Sequence, residues 1–349
     1  MGPPPVLETR VTRVAGRGAR VASILLGMLV AVGVSTNASA QSTHMLIVVG
    51  LAGDPEHGEL FHKWGGELVE SAGKLGVPAD HVVYLVDQAQ EGDKSVTGKA
   101  TVEEIGKTFD RWAKQATPDD AVYIVLIGHG SYDGKVAKFN LPGPDISGAD
   151  FNTQFKKLPT KQIVFVDTTS ASGPMITELS APGRVIITAT RNGAENYSTL
   201  FGGYFVDALT GEEADADKNR SVTMLEAFQF AKAAVQRAYE KEGLLSTEHA
   251  VLDDNGDKTG SPEPATNGQA DGKVAALLAI GSAAEAASLP TDPKLRALVL
   301  EQRDLQHRVE SLRLLKENMD AAKYQSELEK LVTDLALKTR EIRSLEGAK

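Results

Sequence analysis

Five apolar runs mark the middle of the chain: 46–52 (LIVVGLA), 81–87 (HVVYLVD), 122–128 (VYIVLIG), 163–167 (IVFVD) and 184–190 (RVIITAT). None alternates between apolar and polar positions. A strand with one wet face alternates, whereas a strand covered on both faces does not. The runs therefore predict parallel strands joined by helical crossovers. The intervening segments fit that reading. Leu60, Phe61, Trp64, Leu68 and Val69 recur at helical spacing within 56–75. Segment 101–116 opens on Thr101 with Glu104 three residues later, the signature of a capping box. Segments 200–209 and 224–240 read as further helices. The fold class is α/β: a mostly parallel sheet flanked by helices, followed by a C-terminal α-helical hairpin.

The pattern changes at both ends. Residues 1–20 hold Arg10, Arg13, Arg17 and Arg20 against Glu8, residues 21–34 are apolar, and Ala38 and Ala40 form an A-x-A pattern before Gln41. This is the layout of a secretory signal peptide cut after Ala40. Fourteen apolar residues fall short of the ~20 that a membrane-crossing helix needs, so no stable membrane span is expected. From Asp253 to Gly272 the chain turns polar and rich in Gly, Pro, Ser, Thr and Asn, which predicts a mobile loop. Beyond Pro293, Leu298, Leu305, Leu312 and Met319 are seven apart, as are Leu328, Leu335 and Ile342. Heptad spacing argues two coiled-coil-like helices, with a break at Asn318-Met319-Asp320. The predicted organisation is a signal peptide (1–40), an α/β domain (41–257), a flexible linker (258–292) and a helical hairpin (293–349). The hairpin either adds core to the domain or serves self-association or a scaffold.

Charge and composition narrow the function. The net charge is −10, and removal of 1–40 leaves 33 basic against 46 acidic residues, or −13. Such a surface repels phosphate backbones, so nucleic acid is not an expected partner. The chain has no cysteine, which excludes disulfides, thiolate metal sites and a cysteine nucleophile. Export then leaves stability to the core alone.

In parallel sheets reactive groups gather at the carboxyl ends of strands. The third run ends in Gly128-His129-Gly130, an imidazole between two glycines, and imidazole suits a general base. The fourth ends in Asp167-Thr168-Thr169-Ser170-Ala171-Ser172-Gly173, a loop with four hydroxyls. Either segment alone is equally a structural turn. Together and in this order, VLIGHG and FVDTTSASG resemble the caspase-like fold and, most closely, the legumain-type cysteine peptidases; HAVLDDNGD (249–257) resembles the end of such domains. The resemblance covers residues 46–257. It implies a polypeptide substrate held extended at the strand ends. It casts His129 as the base, Gly130 as a neighbour of the oxyanion, and Thr190, Arg191 and Asn192 as the surroundings of the primary pocket. The cysteine position falls on Ser170 when aligned on Ser172-Gly173, which is preferred, and on Thr169 when aligned on Asp167. A hydroxyl is far less acidic than a thiol and needs a base within hydrogen-bond reach, itself oriented by a third group. Two readings follow: a peptidase homologue with impaired catalysis and a retained binding cleft, or a Ser–His hydrolase using Ser170 and His129.

Asp215, Asp217, Asn219, Ser221, Thr223 and Glu226 occupy positions 1, 3, 5, 7, 9 and 12 of a calcium loop, with Arg220 where glycine is usual. A Ca2+ site and an acidic helix entry are both open here; no organic cofactor is implied. His57 and His62, five apart, do not share a helical face and make no metal pair. His249 lines a cleft or serves structure.

Overall fold

The computed structural model describes residues 2, 42–89, 92–216, 218, 221–265, 271–281, 292–314, 316 and 319–346. Apart from Gly2, the expected signal peptide lies outside the described residues.

The sheet has seven strands in the order β10-β9-β8-β4-β1-β2-β3. They are β1 (Thr43–Val49), β2 (Val82–Val86), β3 (Gly98–Lys99), β4 (Ala121–Ile127), β8 (Gln162–Asp167), β9 (Arg184–Thr188) and β10 (Val251–Asp253). All neighbours pair in parallel except β10, which runs antiparallel to β9. The five apolar runs are thus five strands of one sheet. Their lack of alternation has the expected cause. Met45, Ile47 and Val49 of β1 belong to one core, while Leu46 and Val48 belong to the other.

The first core lies under α1 (Pro55–Lys74), α5 (Phe201–Thr210) and α6 (Met224–Lys241). The second lies under α2 (Val102–Gln115), α3 (Gly148–Phe155) and α4 (Met175–Leu179). Trp112, Phe109, Phe151, Phe155 and Phe165 are fully buried there, each contributing roughly 1.5–3 kcal/mol by removal from water. Helix α1 begins where Asp54 caps the backbone N–H of His57, with Pro55 in the first turn. At α2 the capping box is half formed: Thr101 accepts from the Glu104 N–H, but the Glu104 carboxylate pairs with Lys107. Three short strands, β5 (Gly130–Tyr132), β6 (Ala137–Phe139) and β7 (Ile146–Ser147), form a second, antiparallel sheet directly after His129. No apolar run announced it, because two or three residues per strand are too few to set a period.

Of the linker expected over 258–292, residues 258–263 are exposed or half-buried, whereas much of 271–281 packs against the domain. Ser261 bridges to Leu252. Asp271 is buried, and Ala275, Leu278 and Ile280 join the first core. The Asp254 carboxylate accepts from the N–H groups of Gly272, Val274 and Ala275, holding a 3-10 turn at Ala275–Leu277. Polar composition signalled a loop. It did not show that the loop's carboxylates would satisfy its own buried amides.

At the C-terminus α7 (Pro293–Leu314) and α8 (Ala321–Glu346) pair side by side. The heptad residues form two clusters, one around Leu298 and Ile342, the other around Leu312 and Leu331 with Leu305, Met319, Leu328 and Leu335. Both clusters consist of hairpin residues. No described helix is long and apolar enough to cross a membrane.

Candidate active site

His129 leaves β4 with Gly130 starting β5, and the Asp167–Gly173 loop leaves the adjacent strand β8. The two loops touch. A Cβ on Gly130 would sit 2.3 Å from the Ser170 carbonyl oxygen and 2.5 Å from Thr169 Oγ1. Only glycine allows that approach. A second close approach joins this loop to the one after β9: a Cβ on Gly173 would lie 2.3 Å from the Arg191 carbonyl carbon. The structure therefore brings His129, Gly130, Thr169, Ser170 and 190–192 into one locality at the carboxyl ends of the strands.

Bringing the groups together has not coupled them. The His129 ring donates from Nε2 to the Ala52 carbonyl at 2.9 Å. Burial holds its pKa below the ordinary imidazole value, against the pull of that hydrogen bond. The ring is therefore neutral near pH 7, with Nδ1 as its basic atom. Ser170 Oγ is buried and donates to the Gly130 carbonyl at 3.3 Å. Thr169 Oγ1 is fully buried and donates to the Ser170 carbonyl at 3.1 Å. Among the described residues, neither hydroxyl hydrogen-bonds the His129 ring. Asp167 is completely buried, with Oδ1 accepting the Thr169 N–H and Oδ2 without a hydrogen-bond partner among the described residues. Burial pushes its carboxyl up to about 6, outweighing the bond from Thr169.

The three residues expected around the primary pocket divide. Thr190 is fully buried; its Oγ1 accepts from the Gly173 N–H and bonds Ser172 Oγ. Arg191 is exposed, 3.6 Å from the Glu195 carboxylate. Asn192 Nδ2 also donates to Glu195, and so does His249 Nδ1 at 3.0 Å. Glu195, which sequence reading overlooked, ties Arg191, Asn192 and His249 together, and its carbonyl accepts from Ala171 N–H at 2.8 Å. Ala171 adopts φ 56°, a left-handed conformation uncommon for a residue with a side chain.

A second histidine stands beside the first. His57, on the first turn of α1, lies edge-on to His129 with ring centroids 5.0 Å apart. Its Nδ1 is 2.7 Å from Asp54 Oδ2 and its Nε2 is 3.1 Å from Ser198 Oγ. Its hydrogen bonds to Asp54 hold that carboxyl below the usual range. The Asp54-x-x-His57 spacing at a helix start was a readable signal for half of this chain of bonds. Ser198, 141 positions away, left none.

The calcium loop is described only in part: Asp217 and Asn219 lie outside the described residues. Glu226, the expected bidentate ligand, has both oxygens engaged. Oε2 accepts from Thr223 N–H and Oγ1, and Oε1 from Ala216 N–H. With Thr223 accepting from Glu226 N–H in return, this is a full capping box for α6. Asp215 and Ser221 sit in the approach to that helix. Among the described residues no group of three His, Asp or Glu side chains is placed to hold a metal.

A search of curated proteins finds no match for the chain. The family model described as Peptidase C13 matches residues 55–253, more than half of the sequence. It runs from α1 to β10, without β1, and takes in both strand-end loops, and on that match the chain belongs to the Peptidase C13 family.

Proposed function

We propose that this chain is an exported Peptidase C13 homologue, processed after Ala40, that has lost thiol peptidase chemistry and holds an extended polypeptide at the carboxyl ends of its strands. One observation carries the loss. With no cysteine in the chain, the positions that would replace it offer buried hydroxyls whose protons go to backbone carbonyls, not to His129. A serine without an engaged base is a poor nucleophile. The retained crevice is supported by the packing of the loops after β4, β8 and β9 and by the exposed Tyr132, whose ring lies against Gly193 at its edge.

The test is to titrate the chain with a library of unstructured peptides and to follow both binding and cleavage. Saturable binding that weakens with Arg191→Glu is expected. Cleavage by the wild type that vanishes in Ser170→Ala or Thr169→Ala would overturn the reading, because it would show a working nucleophile at the ancestral position.

A further inference from the structure

We propose that Asp54, His57 and Ser198 form a serine-hydrolase array on the rim of the C13 crevice, acting on esters or amides with an apolar acyl group. Ser198 is the nucleophile, His57 the general base and Asp54 the orienting carboxylate. This goes beyond the polypeptide-binding reading and does not depend on it.

The geometry meets the requirements that Ser170 and His129 fail. Nucleophile and base are 3.1 Å apart, and base and orienting carboxylate 2.7 Å, both within the ~2.6–3.2 Å reach such chemistry needs. The proton positions follow from the partners. An ionised carboxylate only accepts, so Nδ1 carries the hydrogen toward Asp54. In the neutral ring Nε2 then keeps its lone pair, and the Ser198 hydroxyl donates to it. This is the tautomer a general base requires.

Each member is held from behind. Asp54 is fixed as the N-cap of α1, its Oδ1 accepting from His57 N–H at 2.9 Å. The loop bearing Ser198 is tied down on both sides. Ala171 N–H donates to the Glu195 carbonyl, and Thr199 Oγ1 donates to the Thr168 carbonyl. The buried Glu248 carboxylate accepts from the N–H groups of Leu200 and Phe201. Capping accounts for the Asp54–His57 contact but not for the approach of His57 Nε2 to a serine 141 positions further along the chain. The array is open to solvent, with the His57 side chain 30% exposed. The segments that carry it also present Leu51, Leu60, Tyr197 and Leu200 at the surface, a setting for an apolar acyl chain.

In the reaction, a bond forms between Ser198 Oγ and the acyl carbon while the hydroxyl proton passes to His57 Nε2. The bond from that carbon to the leaving oxygen or nitrogen breaks, and the leaving group takes the proton from Nε2. Water then adds to the acyl-serine ester with His57 again as base, releasing the carboxylic acid and restoring the Ser198 hydroxyl. Nothing is oxidised or reduced.

The experiment treats the full chain with a fluorophosphonate, maps the adduct by mass spectrometry, and measures p-nitrophenyl butyrate hydrolysis. The expected result is one adduct on the peptide containing Ser198. Labelling and hydrolysis should fall about 10³-fold or more in Ser198→Ala and His57→Gln, with thermal melts showing that both variants fold. An adduct at Thr169, Ser170 or another residue, or a folded wild type that neither labels nor hydrolyses, overturns the proposal. Adduct mapping on the wild type keeps the test decisive if a variant fails to fold. Peptide binding is scored separately on the same wild-type protein, so failure of either reading is recognised by itself.

Discussion

Two sets of polar side chains lie side by side at the carboxyl ends of the strands, His129 with Thr169 and Ser170, and His57 with Asp54 and Ser198. They differ in what receives each proton. In the first, the imidazole and both hydroxyls donate to backbone carbonyls and the hydroxyls are buried. In the second, three side chains bond in series at the surface. The first set closes its hydrogen bonds with the scaffold and thereby stabilises two loops. The second closes them with itself and leaves a nucleophile facing water. On the proposed reading, the acceptor of the hydroxyl proton is what separates the two sets.

The comparison can be broken most sharply at Asp54. Asn caps a helix nearly as well as Asp but does not hold the imidazole in the working tautomer. Asp54→Asn should thus leave the melting temperature almost unchanged while ester hydrolysis falls by about 10³–10⁴-fold. An unchanged rate would reduce the second set to a helix cap.

A next-largest effect belongs to the loop that carries Thr169 and Ser170 and appears as a pH dependence. The Asp167 carboxyl is raised by burial to about 6, above its ordinary value, so the folded chain holds a proton that the unfolded chain releases. Its contribution is fully present below about pH 4 and is lost as pH rises through about 6. At roughly 1.4 kcal/mol per pKa unit, that is about 2–3 kcal/mol. Asp271, likewise raised by burial to about 6, adds in the same direction. Thermal melts across this window should show stability falling with rising pH, with a shallower slope in Asp167→Asn; a flat wild-type profile would contradict the assignment.

Gly130→Ala should destabilise by about 1–3 kcal/mol, as overpacking does, because the new methyl group meets the Ser170 carbonyl and Thr169 Oγ1. Denaturant unfolding would measure it, and a neutral result would mean the two loops are less tightly joined than described. The smallest effect is expected at Glu226→Ala, about 1 kcal/mol for loss of the capping box. If millimolar calcium raised the wild-type melting temperature and not the variant's, Glu226 would be a ligand as well as a cap.

Much of the scaffold could be read along the chain, and so could half of the site. VLIGHG and FVDTTSASG placed His129 and Ser170 at strand ends because buried strands and glycine-flanked turns are local features. Leu298, Leu305, Leu312, Leu328, Leu335 and Ile342 announced the hairpin for the same reason. The packed segment 271–281 was missed because Asp254 accepts amide hydrogens 18 to 21 positions away. Likewise, Glu248 caps the start of α5 from 47 positions off.

The sequence by itself determined five of the seven strands of the main sheet, their order along the chain, the absence of a thiol and the family resemblance. These rest on periodicity, composition and short-range spacing. Only the tertiary structure decided which hydroxyl meets which imidazole. Hydrogen bonding requires heavy atoms about 3 Å apart in a set direction, and residues 57 and 198 reach that distance only after the sheet has closed over both cores.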